Sequence, residues 1–152
     1  MKVGILSFQG SFLDHSKSIH ELGHESLLIK QSKDLMSVDA LILPGGESTA
    51  MRKINQFSNL LSDVDQLIKD GIPTLTTCAG TILLAKEVID GEATIPNIDI
   101  EVTRNAYGRQ TESFEGSVKF FENEDIYCFI SCLLYTSPSP RDDELSRMPS
   151  SA

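Results

Sequence analysis

Gly71-Ile72-Pro73-Thr74-Leu75-Thr76-Thr77-Cys78-Ala79-Gly80 decides how this chain is read. A short apolar run reads as a buried strand and stops at the cysteine, and an apolar helical pattern from Thr81 to Ile89 starts directly after it. A nucleophile on a sharp strand-to-helix turn stands clear of the sheet, with helix N–H groups beside it to receive a developing oxyanion. The small residues Ala79 and Gly80 fit such an elbow, because a tight turn leaves no room for bulk. An isolated cysteine in an apolar stretch reads first as a small buried hydrophobe. The elbow therefore has to be judged with the rest of the chain.

Upstream, strands and helices alternate. Lys2 to Ser7 reads as a strand, Ser11 to Leu22 as a helix ended by Gly23, Glu25 to Lys30 as a second strand and Ala40 to Leu43 as a third. Leu60, Leu61, Val64, Leu67 and Ile68 fall on one helical face ahead of the strand Pro73 to Thr77. This order predicts an α/β fold, a doubly wound, mostly parallel sheet with helices on both faces. Asp90-Gly91 is expected to stop the helix after the elbow, with glycine in the left-handed position. Ile98 to Thr103, Ser113 to Phe120 and Ile126 to Ile130 read as further strands.

A second constellation is Leu43-Pro44-Gly45-Gly46-Glu47-Ser48-Thr49, at the end of the third strand. Paired glycines let a backbone approach a ligand and aim N–H groups at an anion, and Glu47 and Ser48 offer polar groups for an amino acid. The plainer reading is a strand-to-helix turn with Ser48 as N-cap. In a doubly wound sheet the loops after strand C-termini share one edge, so this loop and the Cys78 turn are expected to converge on a crevice.

Composition narrows the classes. The 152 residues suit one globular domain, and a formal charge of -9 argues against a nucleic-acid partner, which needs clustered Lys and Arg. The apolar run Val3 to Phe8 is too short for a signal-peptide core and no stretch reaches membrane-spanning length, so a cytoplasmic protein without a membrane partner is expected. Cys78, Cys128 and Cys132 suit reduced thiols, and the last two lack a second ligand pair or a nearby His for zinc. No metal site is expected.

With Ser7-Phe8-Gln9-Gly10 and Arg104-Asn105-Ala106-Tyr107-Gly108-Arg109-Gln110, these motifs form an ordered set. From Met1 to Ile130 the chain resembles the glutaminase subunits of pyridoxal 5′-phosphate synthase, class I glutamine amidotransferases of flavodoxin-like topology. The Thr-Cys-Ala-Gly elbow separates this branch from other amidotransferases, which usually carry Gly-x-Cys-x-Gly. The resemblance implies that Cys78 is the nucleophile that attacks the side-chain amide of glutamine, and that Gly46 and Ala79 supply the oxyanion donors. It matches Gly46, Glu47, Ser48, Arg104 and Ile130 to positions that contact L-glutamine, with Arg104 suited to the α-carboxylate. It implies no cofactor, and a barrel-shaped synthase subunit as the partner that receives ammonia for pyridoxal 5′-phosphate, vitamin B6.

The sequence also departs from that family. After Tyr127-Cys128-Phe129-Ile130 the family continues with an arginine, further strands and a late His-x-Glu pair that completes a triad. Here Ser131 follows, and the only histidines are His15, His20 and His24, on the first helix and the turn after it. Residues 131–152 hold six Ser and three Pro, half of all the proline, with no periodicity after Tyr135. Their string Cys132 to Asp142 resembles a translated sequencing adapter joined to a truncated frame. An amidotransferase domain over 1–130, incomplete at its C-terminus, and an unstructured, non-native tail over 131–152 are therefore expected. Two other classes stay open: a non-catalytic module of the same fold that binds the synthase or glutamine, and a cysteine redox sensor.

Overall fold

The computed structural model describes residues 1–89 and 91–104 in full, and the strands at 114–120, 124–130 and 134–136 as backbone. The chain divides into two compact units, Met1–Lys86 with Ala93–Ile98, and Glu87–Glu92 with Asp99–Ala152.

The first unit is built on β1 (Lys2–Leu6), β2 (Glu25–Ile29), β3 (Ala40–Leu43) and β4 (Thr74–Thr76), all parallel, in the order β2-β1-β3-β4. That is the order a flavodoxin-like sheet takes over its first four strands. Strand alternation sorts the side chains onto two faces. Val3, Ile5 and Ile42 pack with Phe12 and Ile19 of helix α1 (Phe12–Glu21). Leu6, Ile29, Leu41 and Leu43 pack with Met51 of α2 (Ser48–Ser58), with Leu60, Leu61 and Val64 of α3 (Leu60–Lys69), and with Leu83 of α4 (Ala79–Leu84). Full burial of a Leu or Ile contributes about 1.5 to 3 kcal/mol, so this larger face carries most of the stabilisation.

α2 and α3 are separate helices because Asn59 takes a left-handed φ of 53° and the Asn55 Oδ1 accepts the Leu61 N–H at 2.8 Å. Several elements differ from the sequence reading. β4 is not buried: among the described residues it has β3 alone as a neighbour in its sheet, and Leu75 is 56% exposed. The helix expected to run to Ile89 ends at Leu84, where the N–H groups of Ile95 and Asn97 bond the carbonyls of Leu83 and Leu84 at 2.9 Å and replace the next helical donors. Ala85–Ile89 becomes strand β5, and Gly91 is not among the positive-φ glycines, so it is not a left-handed helix cap.

Among the described residues, β5 joins β6 (Ile98–Thr103) and β9 (Leu134–Thr136) in a three-stranded sheet, and β7 (Phe114–Phe120) pairs antiparallel with β8 (Glu124–Ile130). Val102 of β6 is fully buried. β9 lies within the segment expected to be unstructured, and pairs antiparallel with β6 through Val102 and Tyr135. The rest of 131–152, like 105–113, lies outside the described residues. No helix among the described residues is long and apolar enough to cross a membrane.

Candidate active site

The carboxyl ends of β1, β3 and β4 bring three loops together. In the order β2-β1-β3-β4 the strands stay parallel but the direction of winding reverses between β1 and β3, which opens the crevice where such folds bind ligands.

At the end of β4, the Thr77 N–H still bonds the Leu43 carbonyl at 3.1 Å, and then the chain turns. Cys78 has φ 45° and ψ −108°, a conformation that costs a non-glycine residue roughly 1 to 3 kcal/mol. The turn is closed by Gly80 N–H to Thr77 carbonyl at 2.9 Å and by Thr81 and Ile82 N–H to the Cys78 carbonyl at 3.0 and 3.2 Å. A hydroxyl pair, Thr76 with Thr81 at 2.9 Å, braces it from the side. Gly80 lies so close to the Leu43 carbonyl that a Cβ there would overlap it. The thiol is free and half-buried. α4 has only six residues, so the dipole behind the elbow is weaker than a helix to Ile89 would give, and local N–H groups matter more.

The loop after β3 faces the elbow. A Cβ built on Gly45 would stand 3.3 Å from the Cys78 Cβ, so a side chain there would crowd the thiol. Gly46 is equally confined, with the Gln9 Oε1 and the Met51 Cε beside it. Among the described residues, neither Gly46 N–H nor Ala79 N–H takes part in a hydrogen bond. Glu47, not Ser48, is the N-cap of α2: its carboxylate accepts the N–H groups of Thr49 at 3.0 Å and Ala50 at 2.6 Å. Its own N–H donates to the Gln9 Oε1 at 2.7 Å. Glu47 is exposed, whereas Ser48 is 4% exposed.

The loop after β1 closes the group. Gly10, at φ 99°, lies against the Gly45 carbonyl, which accepts the Ser11 N–H at 3.0 Å. His15, one turn further along α1, hydrogen-bonds Thr77 Oγ1 through Nε2 at 3.3 Å. The structure thus brings together Cys78, Ala79, Gly46 and Glu47 of the expected site and adds Gln9, Ser11, His15, Gly45 and Thr77. Gly45 was legible as half of the glycine pair; His15 carried no signal, because its partner is 62 residues away. Arg104 follows β6 and is half-buried, and Ile130 ends β8 opposite Phe114; both belong to the second unit. A separate groove of about 400 Å³ between Ser32–Ser37 and α3, lined by Leu35, Met36, Asp63 and Leu67, contains none of these residues.

A parallel sheet with a strained cysteine at a strand-to-helix elbow, faced by a diglycine loop, is the architecture of a glutamine amidotransferase. Residues 5–133 match the SNO glutamine amidotransferase family, and the chain belongs to that family. It is similar to the pyridoxal 5′-phosphate synthase subunit PdxT of Corynebacterium jeikeium, 45% identical over 79% of this chain and 63% of that protein. The same subunit of Clostridium beijerinckii is 47% identical over 76% of this chain and 61% of its own length. The subunit of Tropheryma whipplei strain TW08/27 is 42% identical over 99% of this chain and 81% of its own. A solved structure described as a glutamine amidotransferase superposes with a TM-score of 0.77, at 32% identity, over 86% of this chain and 70% of that one. The chain thus spans just over three-fifths of the length of the first two relatives.

Proposed function

We propose that this chain hydrolyses the side-chain amide of L-glutamine at Cys78 and supplies the ammonia to a barrel-shaped synthase subunit that makes pyridoxal 5′-phosphate, in the cytoplasm. The observation that carries this reading is the strained Cys78 turn held 3.3 Å, Cβ to built Cβ, from the diglycine loop at the carboxyl edge of the sheet. The Cys78 sulfur attacks the amide carbon, and the carbonyl oxygen becomes an oxyanion within reach of the Gly46 and Ala79 N–H groups. The C–N bond breaks, ammonia leaves with an added proton, and water cleaves the thioester to glutamate and free thiol. No cofactor is needed for these steps.

Substrate orientation in the first unit falls to Glu47 and Ser48 of the loop that faces Cys78; for Arg104 and Ile130 a role toward glutamine is proposed from the family motif alone. Glu47, whose carboxylate caps α2, is the acidic side chain of that loop that would receive the substrate ammonium. Loss of the Arg104 charge is expected to weaken glutamine binding by roughly 1.5 to 3 kcal/mol, the scale of a charge-assisted hydrogen bond.

Steady turnover needs a general base for the thiol and an acid for the departing ammonia. None of the three histidines is hydrogen-bonded to Cys78; His15 bonds Thr77 and His20 bonds Ser26 at 3.0 Å. That observation favours, as a second reading, a module that binds glutamine or the synthase without turning over. A glutamine-mimicking chloroketone, followed by peptide mass spectrometry, tests the primary reading. Labelling at Cys78 that L-glutamine suppresses and L-asparagine does not is the expected result. Labelling indifferent to L-glutamine removes glutamine from the site, and ammonia release without labelling removes Cys78.

A further inference from the structure

Helix α1 is tied at two points one helical turn apart, once to the diglycine loop that faces the reactive elbow and once to the elbow itself. Ser11 donates its N–H to the Gly45 carbonyl at 3.0 Å and its hydroxyl to the same oxygen at 3.4 Å. Four residues on, on the same helix face, His15 Nε2 meets Thr77 Oγ1 at 3.3 Å. Both partners of that bond are half-buried, whereas His20 and His24 are exposed. Thr77 is therefore held at all three of its polar groups: N–H to Leu43, carbonyl to Gly80, and hydroxyl to His15. It is the last residue before the chain enters the strained conformation at Cys78.

We propose that His15 is a positioning residue for Cys78: by holding the Thr77 side chain it keeps the elbow in the conformation that presents the thiol, and so sets the thiol's reactivity. A strained backbone persists only where its surroundings over-determine it. The backbone bonds of Thr77 are common to any strand end, whereas the bond from α1 reaches it from a different element and resists rotation of the turn. His15 does not take the proton; its nitrogen faces the threonine. The inference rests on the reading of Cys78 as the reactive thiol, but not on glutamine as its substrate.

The test is alkylation of the full 152-residue chain by iodoacetamide. The sulfur forms a bond to the methylene carbon, iodide leaves, and the thiol proton goes to solvent. Rates at Cys78 are read by peptide mass spectrometry with Cys132 as internal reference, alongside thermal melts. His15→Ala is expected to slow alkylation of Cys78 by about three- to tenfold, the range that one net hydrogen bond gives. Thr77→Val should do the same, the double variant should be no slower than either single one, and His15→Gln and Thr77→Ser should recover most of the rate because each keeps a hydrogen-bonding group. If His15→Ala does not fold, the Thr77→Val and Thr77→Ser pair gives the same reading from the other side of the bond. An unchanged Cys78 rate overturns the proposal, as do multiplicative losses in the double variant or an equal change at Cys132. Because no glutamine is present, this outcome is independent of whether glutamine protects Cys78 in the labelling test above.

Discussion

The loops that leave β3 and β4 start their helices in opposite ways, although they occupy equivalent places on one sheet edge. After β3 the chain relaxes into α2: Glu47 has extended backbone, φ −109° and ψ 108°, and its carboxylate satisfies two of the helix's open N–H groups. After β4 the residue in the same place is Cys78, at φ 45°, with no side-chain cap. The first loop is stabilised locally and the second is strained and held from outside, by Leu43, Thr81 and His15 through its neighbours. Strain is thus concentrated on the one residue whose side chain has to stand clear of the sheet.

The comparison gives a graded series of expectations. Cys78→Ala should abolish glutamine-suppressible labelling altogether, with the melting temperature little changed; residual labelling of that kind would move the chemistry away from the elbow. Gly80→Ala should lower stability by roughly 1 to 3 kcal/mol, since its Cβ would overlap the Leu43 carbonyl, which is backbone and cannot swing aside. A denaturant midpoint within error of the parent would show that α4 does not need this close approach to β3. Cys78→Gly should raise stability over Cys78→Ala by about 1 to 2 kcal/mol, because glycine enters the positive-φ region without penalty. Equal stability of the two would mean that the elbow stores no strain. Glu47→Ala should cost about 1 kcal/mol through the lost cap, while Glu47→Gln keeps an acceptor and should cost less. If the two variants are equally destabilised, the charge of Glu47 rather than its hydrogen bonds holds the loop.

The smallest effect lies away from both loops and serves as their control. Burial acts to raise the pKa of Asp65, but hydrogen bonds from Lys69 Nζ and Asn97 Nδ2, each 2.7 Å, together with the Lys69 charge, outweigh it and leave the pKa lowered. A depressed folded-state pKa contributes stability that is complete above the unfolded value, about 3.9, and is lost as pH falls through the folded one. Unfolding of the parent between pH 5 and 2 should therefore steepen relative to Asp65→Asn. Parallel curves for the two would show that the ionised Asp65, paired with Lys69 within α3 and bonded by Asn97, adds no stability to the fold.

Residues 131–152 read differently from each side. Composition sets them apart from the fold, yet Leu134–Thr136 pairs with β6, and the alignment with the Tropheryma subunit covers 99% of the chain. A strand of three residues leaves little periodicity to find, and pairing depends on an edge that is far away in sequence.

Amphipathic spacing and punctuation alone determined β1, α1, β2, β3 and α3 almost to the residue, because each is a local pattern closed by a local signal, such as Gly23. The elbow and the diglycine loop were legible for the same reason: a turn that must bend sharply or approach a neighbour closely needs small residues at set places. Only the tertiary structure decided where α4 stops, that Glu47 rather than Ser48 caps α2, that β4 is an exposed edge, and that His15 bonds Thr77. Each of these depends on what lies elsewhere in the fold: the Ile95 and Asn97 N–H groups, the Gln9 carboxamide, β3 as the one neighbour of β4 among the described residues, and the far side of a crossover. Hydrogen-bond satisfaction is a property of the folded whole, and spacing along the chain does not record it.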